Sequence, residues 1–202
     1  MAPRLLGVAA RVFLALSLTG ACAADYVVYV RLVSFDAPRG QKLDGACCDL
    51  NVANCECGFF CTKSISCDLF FKVCVEDGSE SSDDFGECST GVRSTGVVED
   101  NANRVVFSPR GKYGTWKNPE RIQVQQPWFL EHGIRMKFQV WDDDTPLGTE
   151  LVDQWLKAIP TEDIVLDRWT KIEVVHRRRV ATTTRTVLQV SLHLKICIPP
   201  VG

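Results

Sequence analysis

The sequence is poor in the residues that enzymes and nucleic-acid-binding proteins usually need. It has only 3 histidines in 202 residues, and none of them lies in the sequence context of a nucleophile, a zinc protease or a deaminase. It also lacks an excess of positive charge, because 23 basic residues stand against 25 acidic ones. Since a basic surface is typical of proteins that bind nucleic acid, we predict neither an enzyme nor a nucleic-acid-binding protein.

Beyond residue 23 the chain has no apolar run of the roughly 20 residues that are needed to cross a bilayer. The first 23 residues have a basic start, an apolar stretch over residues 12–18, and small residues at Ala21 and Ala23. This order is typical of a secretory signal peptide. We therefore predict a signal peptide over residues 1–23 and one secreted, extracellular domain over residues 24–202.

Cysteine, in contrast, is abundant, with 10 in the chain. Cys22 leaves with the signal peptide, and we expect disulfides among the others because secreted proteins fold in an oxidising compartment. Zinc binding by Cys55, Cys57, Cys61 and Cys67 is the alternative, but the sequence lacks paired Cys-x2-Cys motifs. An odd number remains, so at least one cysteine is free or forms a disulfide-linked dimer. The remaining cysteines are Cys47, Cys48, Cys55, Cys57, Cys61, Cys67, Cys74, Cys88 and Cys197.

Alternating apolar and polar residues predict β-strands through most of the chain. In IRMKFQVW every second residue from Ile134 to Val140 is apolar, as in a half-buried strand. Further strands are predicted for YVVYVRLVSF, DLFFKVCV, NRVVFS, ERIQVQ, WTKIEVV and TVLQVSLHLKI. About eight strands between turn residues predict an all-β antiparallel sandwich. In GTELVDQWLKAIP the apolar spacing from Leu151 to Ile159, followed by Pro160, predicts a short crossing helix.

A cluster of acidic residues follows the IRMKFQVW strand. Asp142, Asp144 and Glu150 lie in one predicted loop, with a spacing that resembles the third calcium-binding loop of C2 domains. Asp36 and Asp44 are the candidates for an opposing loop. Ca²⁺ prefers six to eight oxygen ligands from flexible acidic loops. Two interpretations stay open: a calcium site, or acidic residues that only solvate a turn.

Three other features are expected at the surface. Arg177, Arg178 and Arg179 lie between two predicted strands, so we expect them at a solvent-exposed hairpin tip. The alternative is contact with an anionic phospholipid surface or an acidic protein. The acidic segment EDGSESSDDFGECSTG is predicted to be a loop that Cys88 ties down. His193 falls on the polar face of the last strand and is expected to be a surface imidazole.

The cysteine-rich segment resembles a known family. Six cysteines form a characteristic pattern in this segment. Five of them lie in the stretches GQKLDGACC and CTKSISCDLFFKVCVED, and the sixth follows these stretches. The six are Cys47, Cys48, Cys61, Cys67, Cys74 and Cys88. This pattern is similar to the N-terminal module of the Notch ligands, the Delta, Serrate and Jagged proteins. The N-terminal strand, the NRVV segment, the Trp141-Asp142 loop and the closing strand follow in the same order as in that module.

The resemblance implies a C2-like β-sandwich whose N-terminal half is stapled by disulfides. It implies a non-enzymatic module that contacts the EGF-like repeats of a Notch-type receptor and modulates Notch signalling. It also implies tip loops associated with phospholipid and, in some members, with calcium; Asp142 and Asp144 correspond to tip-loop acids. The alternative is a secreted C2-like protein that binds phospholipid, with or without calcium.

In the family, a DSL module, EGF-like repeats and a membrane span follow this module. The 202 residues contain none of these, so we expect either a secreted single-domain relative or a truncated ligand. Cys197 lies where the resemblance places the first cysteine of the DSL module. Three partners for Cys197 stay open. They are a cysteine of the DSL module, one of the two residues Cys55 and Cys57, and a cysteine of a second chain.

Overall fold

The computed structural model describes residues 25–37, 42, 48, 67–124, 129–144, 148–177 and 185–197. In chain order the strands are β1 (Asp25–Asp36), β2 (Cys67–Asp77), β3 (Arg93–Ser94), β4 (Glu99–Ala102), β5 (Arg104–Val106), β6 (Lys112–Tyr113), β7 (Trp116–Lys117), β8 (Glu120–Val124), β9 (Ile134–Asp143), β10 (Thr149–Ile159), β11 (Trp169–Arg177) and β12 (Arg185–Cys197). The remaining described elements are one short helix, α1 (Phe129–His132), and 3-10 turns at Phe85–Glu87 and Thr161–Asp163.

The strands form two five-stranded sheets and a small hairpin of β6 and β7. The first sheet has the order β11-β12-β1-β5, and β8 also pairs with β1. The second sheet has the order β10-β9-β2-β3, and β4 also pairs with β2. The paired strands within both sheets run antiparallel. In the described part of the chain, no helix is long and apolar enough to span a membrane.

The core lies between the two sheets and is made by the alternating apolar residues. In β9, Ile134, Met136 and Val140 are fully buried, and in β12 the same is true of Leu188 and Val190. Each such side chain stabilises the fold by about 1.5–3 kcal/mol relative to exposure. A shift of one residue would turn all of them to solvent, so the alternation fixes which face of each strand points inward. The predicted antiparallel sandwich and its predicted strands are confirmed.

The predicted helix between Leu151 and Ile159 is wrong, because this segment forms β10 and pairs with β9 along its whole length. A β-bulge between Leu151 and Asp153 adds one residue to β10. The bulge breaks the simple alternation, so the buried Val152 and Trp155 stand three residues apart, as they would in a helix. Leu156, which a helix would bury beside Trp155, is 46% exposed. Pairing with the long strand β9 overrides the local pattern.

Strand β1 changes its neighbour part-way along one edge. Residues 26–30 pair with β8, and residues 34–36 pair with β5. Between these two stretches, the buried side chain of Asn118 takes the place of a strand: its Oδ1 accepts from Leu32 N at 3.0 Å, and its Nδ2 donates to Leu32 O at 2.9 Å. Both backbone groups of Leu32 are thereby satisfied inside the protein, where an unpaired group would be destabilising.

Among the described residues, two disulfides are attached to β2 of the second sheet. Cys48 bonds to Cys67 at the start of β2, with an S–S distance of 2.00 Å, and Cys74 bonds to Cys88, with a distance of 2.03 Å. The prediction of disulfides is confirmed for these four residues. Because Cys67 is bonded to Cys48, it offers no thiolate to the alternative zinc site.

Several predictions fall outside the described residues. They concern the signal peptide over residues 1–23, the thiols of Cys47, Cys55, Cys57 and Cys61, the carboxylate of Asp44, and the side chains of Arg178 and Arg179. For Cys197 and Arg177 only the backbone is described. Cys197 lies opposite Asp25 at the end of the β1–β12 pair, and Arg177 lies opposite Arg185 at the end of the β11–β12 pair.

Candidate functional site

The β9–β10 hairpin holds the predicted acidic residues at one end of the sandwich. Asp142 and Glu150 lie directly opposite each other in the register of the two strands. Beyond them, Asp144 N donates to Gly148 O at 2.9 Å. Gly148 has a φ of 121°, in the left-handed region that glycine adopts without strain. Because directly opposite residues of paired antiparallel strands share a face, Asp142 and Glu150 lie on the same face of the hairpin.

Asp142 is fully buried and joins two strands. Its Oδ1 accepts a hydrogen bond of 2.6 Å from the backbone N–H of Asp68, at the start of β2. One of its carboxylate oxygens lies within 4.8 Å of the sulfur atoms of Cys48 and Cys67. Those sulfur atoms form a disulfide, so this group is not a set of thiolate ligands for a metal ion.

Glu150 forms an ion pair with Lys42, which comes from the segment between β1 and β2. The Lys42 side chain is only 6% exposed, whereas that of Glu150 is 40% exposed. Asp36, at the end of β1, lies 3.9 Å from Arg104 in an exposed pair. Both carboxylates thus have a cationic side chain of the protein beside them.

Among the described residues, no three of the predicted calcium ligands come within ligand distance of one another. The structure brings Asp142 and Glu150 together across the hairpin, and it places Asp36 in a separate pair with Arg104. Asp44 lies outside the described residues. The calcium site stays a prediction.

A pair of stacked rings, which we call the aromatic pair, lies beside the acidic hairpin on the outer face of the second sheet. Phe70 of β2 stands opposite Trp141 of β9, and their ring centroids are 6.3 Å apart at an interplanar angle of 18°. The Lys72 Nζ lies 4.3 Å from the centroid of the Trp141 ring. Trp141 Nε1 donates to Gln139 Oε1 at 3.0 Å. The pair is half-buried, and its position is fixed by these contacts.

Sequence reasoning missed this pair. Each ring stands on the polar side of its own strand, at a position that alternates with core residues such as Leu69, Phe71 and Val140. That alternation was the available signal, but the contact depends on the register between β2 and β9, which the sequence does not show.

The opposite end of the same outer face carries a buried cluster of charges. Glu76 lies opposite Arg135 in the β2–β9 register, and its Oε1 is 3.0 Å from Lys137 Nζ and 3.7 Å from Arg135 Nη1. All three side chains are less than a tenth exposed. Buried charges require such pairing because the loss of hydration is costly.

This cluster anchors the acidic loop over residues 78–88. Lys137 Nζ donates to the backbone carbonyl of Asp84 at 2.7 Å, and Arg135 bonds to the carboxylate of Asp83. The Cys74–Cys88 disulfide closes the same loop. The predicted acidic loop tied down by Cys88 is confirmed from residue 78 onward, whereas Glu76 and Asp77, at the start of the predicted segment, lie in β2. The loop covers this end of the second sheet.

Where the loop begins, Asp77 accepts a hydrogen bond of 2.9 Å from the N–H of Ser79 and lies 3.0 Å from His132 Nδ1. Partial burial acts to raise the pKa of Asp77, but the hydrogen bonds from Ser79 and the neighbouring His132 outweigh it. The pKa of this carboxyl group therefore lies below its usual value of 3.8.

On the outer face of the first sheet, aromatic rings and cationic side chains lie beside one another. Tyr29 and His193 stack with centroids 5.8 Å apart, and the Trp169 ring lies 5.1 Å from His193. The Arg31 guanidinium lies 3.9 Å from the Trp169 centroid. His193 is on the polar face, as predicted, but its side chain is only 20% exposed because rings flank it.

Comparison with known proteins identifies the family. A family model described as the N terminus of Notch ligand, C2-like domain, matches residues 27–188. The chain belongs to this family. The resemblance in the cysteine-rich segment is therefore confirmed for most of the chain. The Notch-ligand C2-like domain is a binding module of extracellular proteins rather than an enzyme.

Three solved structures are similar to this chain, and the first of them supports the fold. The Drosophila C2-DSL-EGF1 structure superposes with a TM-score of 0.56 at 18% identity, covering 88% of this chain and 75% of that chain. The C2A domain of plant Extended Synaptotagmin 1 gives a TM-score of 0.48 at 14% identity, with 88% and 98% coverage. Human GIVD cytosolic phospholipase A2 gives 0.49 at 9% identity, with 86% and 17% coverage. No curated protein sequence matches the chain.

Proposed function

We propose that this Notch-ligand C2-like domain is a secreted, non-enzymatic module that binds EGF-like repeats of a Notch-type receptor and modulates Notch signalling. The observation that carries the proposal is the family match over residues 27–188. The Drosophila C2-DSL-EGF1 structure supports it at the level of the fold. The proposed binding needs no chemistry beyond a rigid surface, which the sandwich of two antiparallel sheets provides.

Within this proposal, the aromatic pair is the surface that contacts the receptor. Trp and other large aromatic side chains contribute much of the energy of protein interfaces, especially when their position is fixed before binding. Trp141 is held by Lys72 and by Gln139, and its ring remains partly accessible. The mobile outer parts of longer side chains would have to be ordered on binding, whereas this ring is already in place.

The test uses biolayer interferometry to measure the association of the purified domain with an immobilised fragment of Notch EGF-like repeats. We expect binding in the micromolar range and a loss of about tenfold or more in Trp141→Ala, as for a residue at the centre of an interface. Trp169→Ala is the matched control, because it removes the same ring from the other sheet and should leave the affinity within about twofold.

Two negative results have different meanings. The absence of association at a domain concentration of about several hundred micromolar would refute receptor binding. Association that Trp141→Ala leaves unchanged would refute the aromatic pair as the contact surface and would leave the receptor itself in place. Circular dichroism of each variant shows whether the sandwich is intact.

A further inference from the structure

The outer face of the first sheet carries cations on four neighbouring strands, and we call these residues the basic face. They are Arg121 on β8, Arg31 on β1, Lys195 on β12 and Lys171 on β11. The register places Lys171 and Arg31 in one row on either side of Ser191. Arg121 stands opposite Tyr29 in the next row. The positive charges therefore extend across the sheet instead of lying at one point.

The charge of this face contrasts with the charge of the molecule. The chain as a whole has a formal net charge of −2, and the acidic loop over residues 78–88 lies on the other sheet. On the basic face, Glu173 supplies a negative charge, and it accepts a hydrogen bond of 3.2 Å from Gln189. The face continues toward the β11–β12 turn, where the backbone places Arg177 opposite Arg185. The exposed Asp167, 3.9 Å from His193 Nε2, adds a second negative charge. A strip on which cations outnumber carboxylates still attracts a polyanion more strongly than the net charge suggests.

Planar rings lie among these cations. Trp169, His193 and Tyr29 form a continuous row across β11, β12 and β1. Arg31 lies over the Trp169 ring, so the guanidinium is held in position before a ligand arrives. A group that is already ordered loses less conformational entropy on binding. The face thus combines fixed positive charge with half-buried aromatic surface.

From this combination we infer a second binding function: the basic face binds a sulfated polysaccharide. Such a polymer repeats its sulfate groups along an extended chain, which suits cations on strands about 4.8 Å apart. Its sugar rings also present C–H faces that pack against aromatic rings. An anionic membrane fits less well, because membrane-surface binding relies on apolar side chains that enter the bilayer, and the rings here are half-buried within the sheet.

Heparin serves as the probe, and the full chain is measured at several salt concentrations. The wild-type domain should bind heparin at physiological salt, with an affinity that falls as salt rises because bound counterions are released. The test variant is Arg121→Gln with Lys171→Gln and Lys195→Gln. Because this variant lacks three exposed cations, the plot of log affinity against log salt should become shallower, and the magnitude of its negative slope should fall by roughly three.

The matched control removes the same charge elsewhere. Arg93→Gln with Lys112→Gln and Lys157→Gln also replaces three exposed cations, none of them on the basic face. The proposal expects this control to keep nearly the wild-type slope. An equal decrease in both triple variants would show that only the overall charge matters, and this would overturn the proposal.

The chemical class of the ligand is tested separately. Desulfated heparin should not bind, and vesicles of phosphatidylserine should bind more weakly than heparin does. Absence of heparin binding at physiological salt, equal binding of desulfated heparin, or stronger binding to the vesicles would each overturn the proposal. None of these measurements involves the receptor, so their failure is distinct from a failure of Notch binding.

Discussion

The outer faces of the two sheets place their charges in opposite environments. On the second sheet, Glu76, Arg135 and Lys137 are buried beneath the acidic loop. On the first sheet, Lys171 and Lys195 point to solvent. The buried charges stabilise a loop only as a complete set, because each depends on its partners. The exposed charges contribute little to folding and remain available for a ligand. Similar residue types therefore serve structure on one face and binding on the other.

The largest expected difference between the faces concerns a glutamate on each. Glu76→Gln leaves Lys137 and Arg135 buried without their carboxylate, so we expect a loss of about 3–5 kcal/mol in the free energy of unfolding. Glu173→Gln, on the exposed face, should change it by less than about 0.5 kcal/mol. Urea denaturation at neutral pH measures both. Equal losses of unfolding free energy in the two variants would show that burial beneath the acidic loop does not increase the cost of removing a carboxylate.

A smaller effect is expected from opening the disulfide that closes the acidic loop. Cys74→Ser with Cys88→Ser removes a crosslink over a sequence separation of 14, and should lower the free energy of unfolding by about 3 kcal/mol. Limited proteolysis should then cut within residues 78–88. The affinity for heparin should stay at the wild-type value, because the basic face lies on the other sheet. A parallel loss of heparin binding would show that the two faces are coupled.

The smallest effect is a dependence on pH at Asp77, where the acidic loop begins. Its pKa is lower in the folded protein than the usual 3.8, so its stabilising contribution is complete at neutral pH. That contribution is lost as the pH falls below about 4 and passes the lower folded value. The Asp77→Asn variant should therefore lose less stability than the wild type between about pH 5 and pH 2.5, as followed by urea denaturation. Identical slopes in the two proteins would contradict this assignment.

Most of the strands could be predicted from the sequence, because a two-residue period is a local property. The segment from Ile134 to Val140 shows it directly. The same reasoning failed for β10, where the bulge between Leu151 and Asp153 makes a strand resemble a helix. A bulge depends on the partner strand, and the sequence of one strand does not contain that information.

The candidate site was less predictable than the fold, since its contacts join distant segments. In the structure, Asp142 and Glu150 lie opposite each other across the β9–β10 hairpin. Their partners, the backbone of Asp68 and the side chain of Lys42, come from other parts of the chain. In the same way Lys137 had the pattern of a solvent-exposed residue, and only the loop that folds over it makes it buried.

The pair of Lys42 and Glu150 has a consequence for any divalent ion at this end of the molecule. An ion that takes Glu150 must displace an ammonium group that is attached to the same chain. A tethered competitor acts at an effective concentration of about millimolar or more, and it is not removed by dilution, dialysis or a chelator. Lys42 thus stays paired with Glu150 in a medium without calcium.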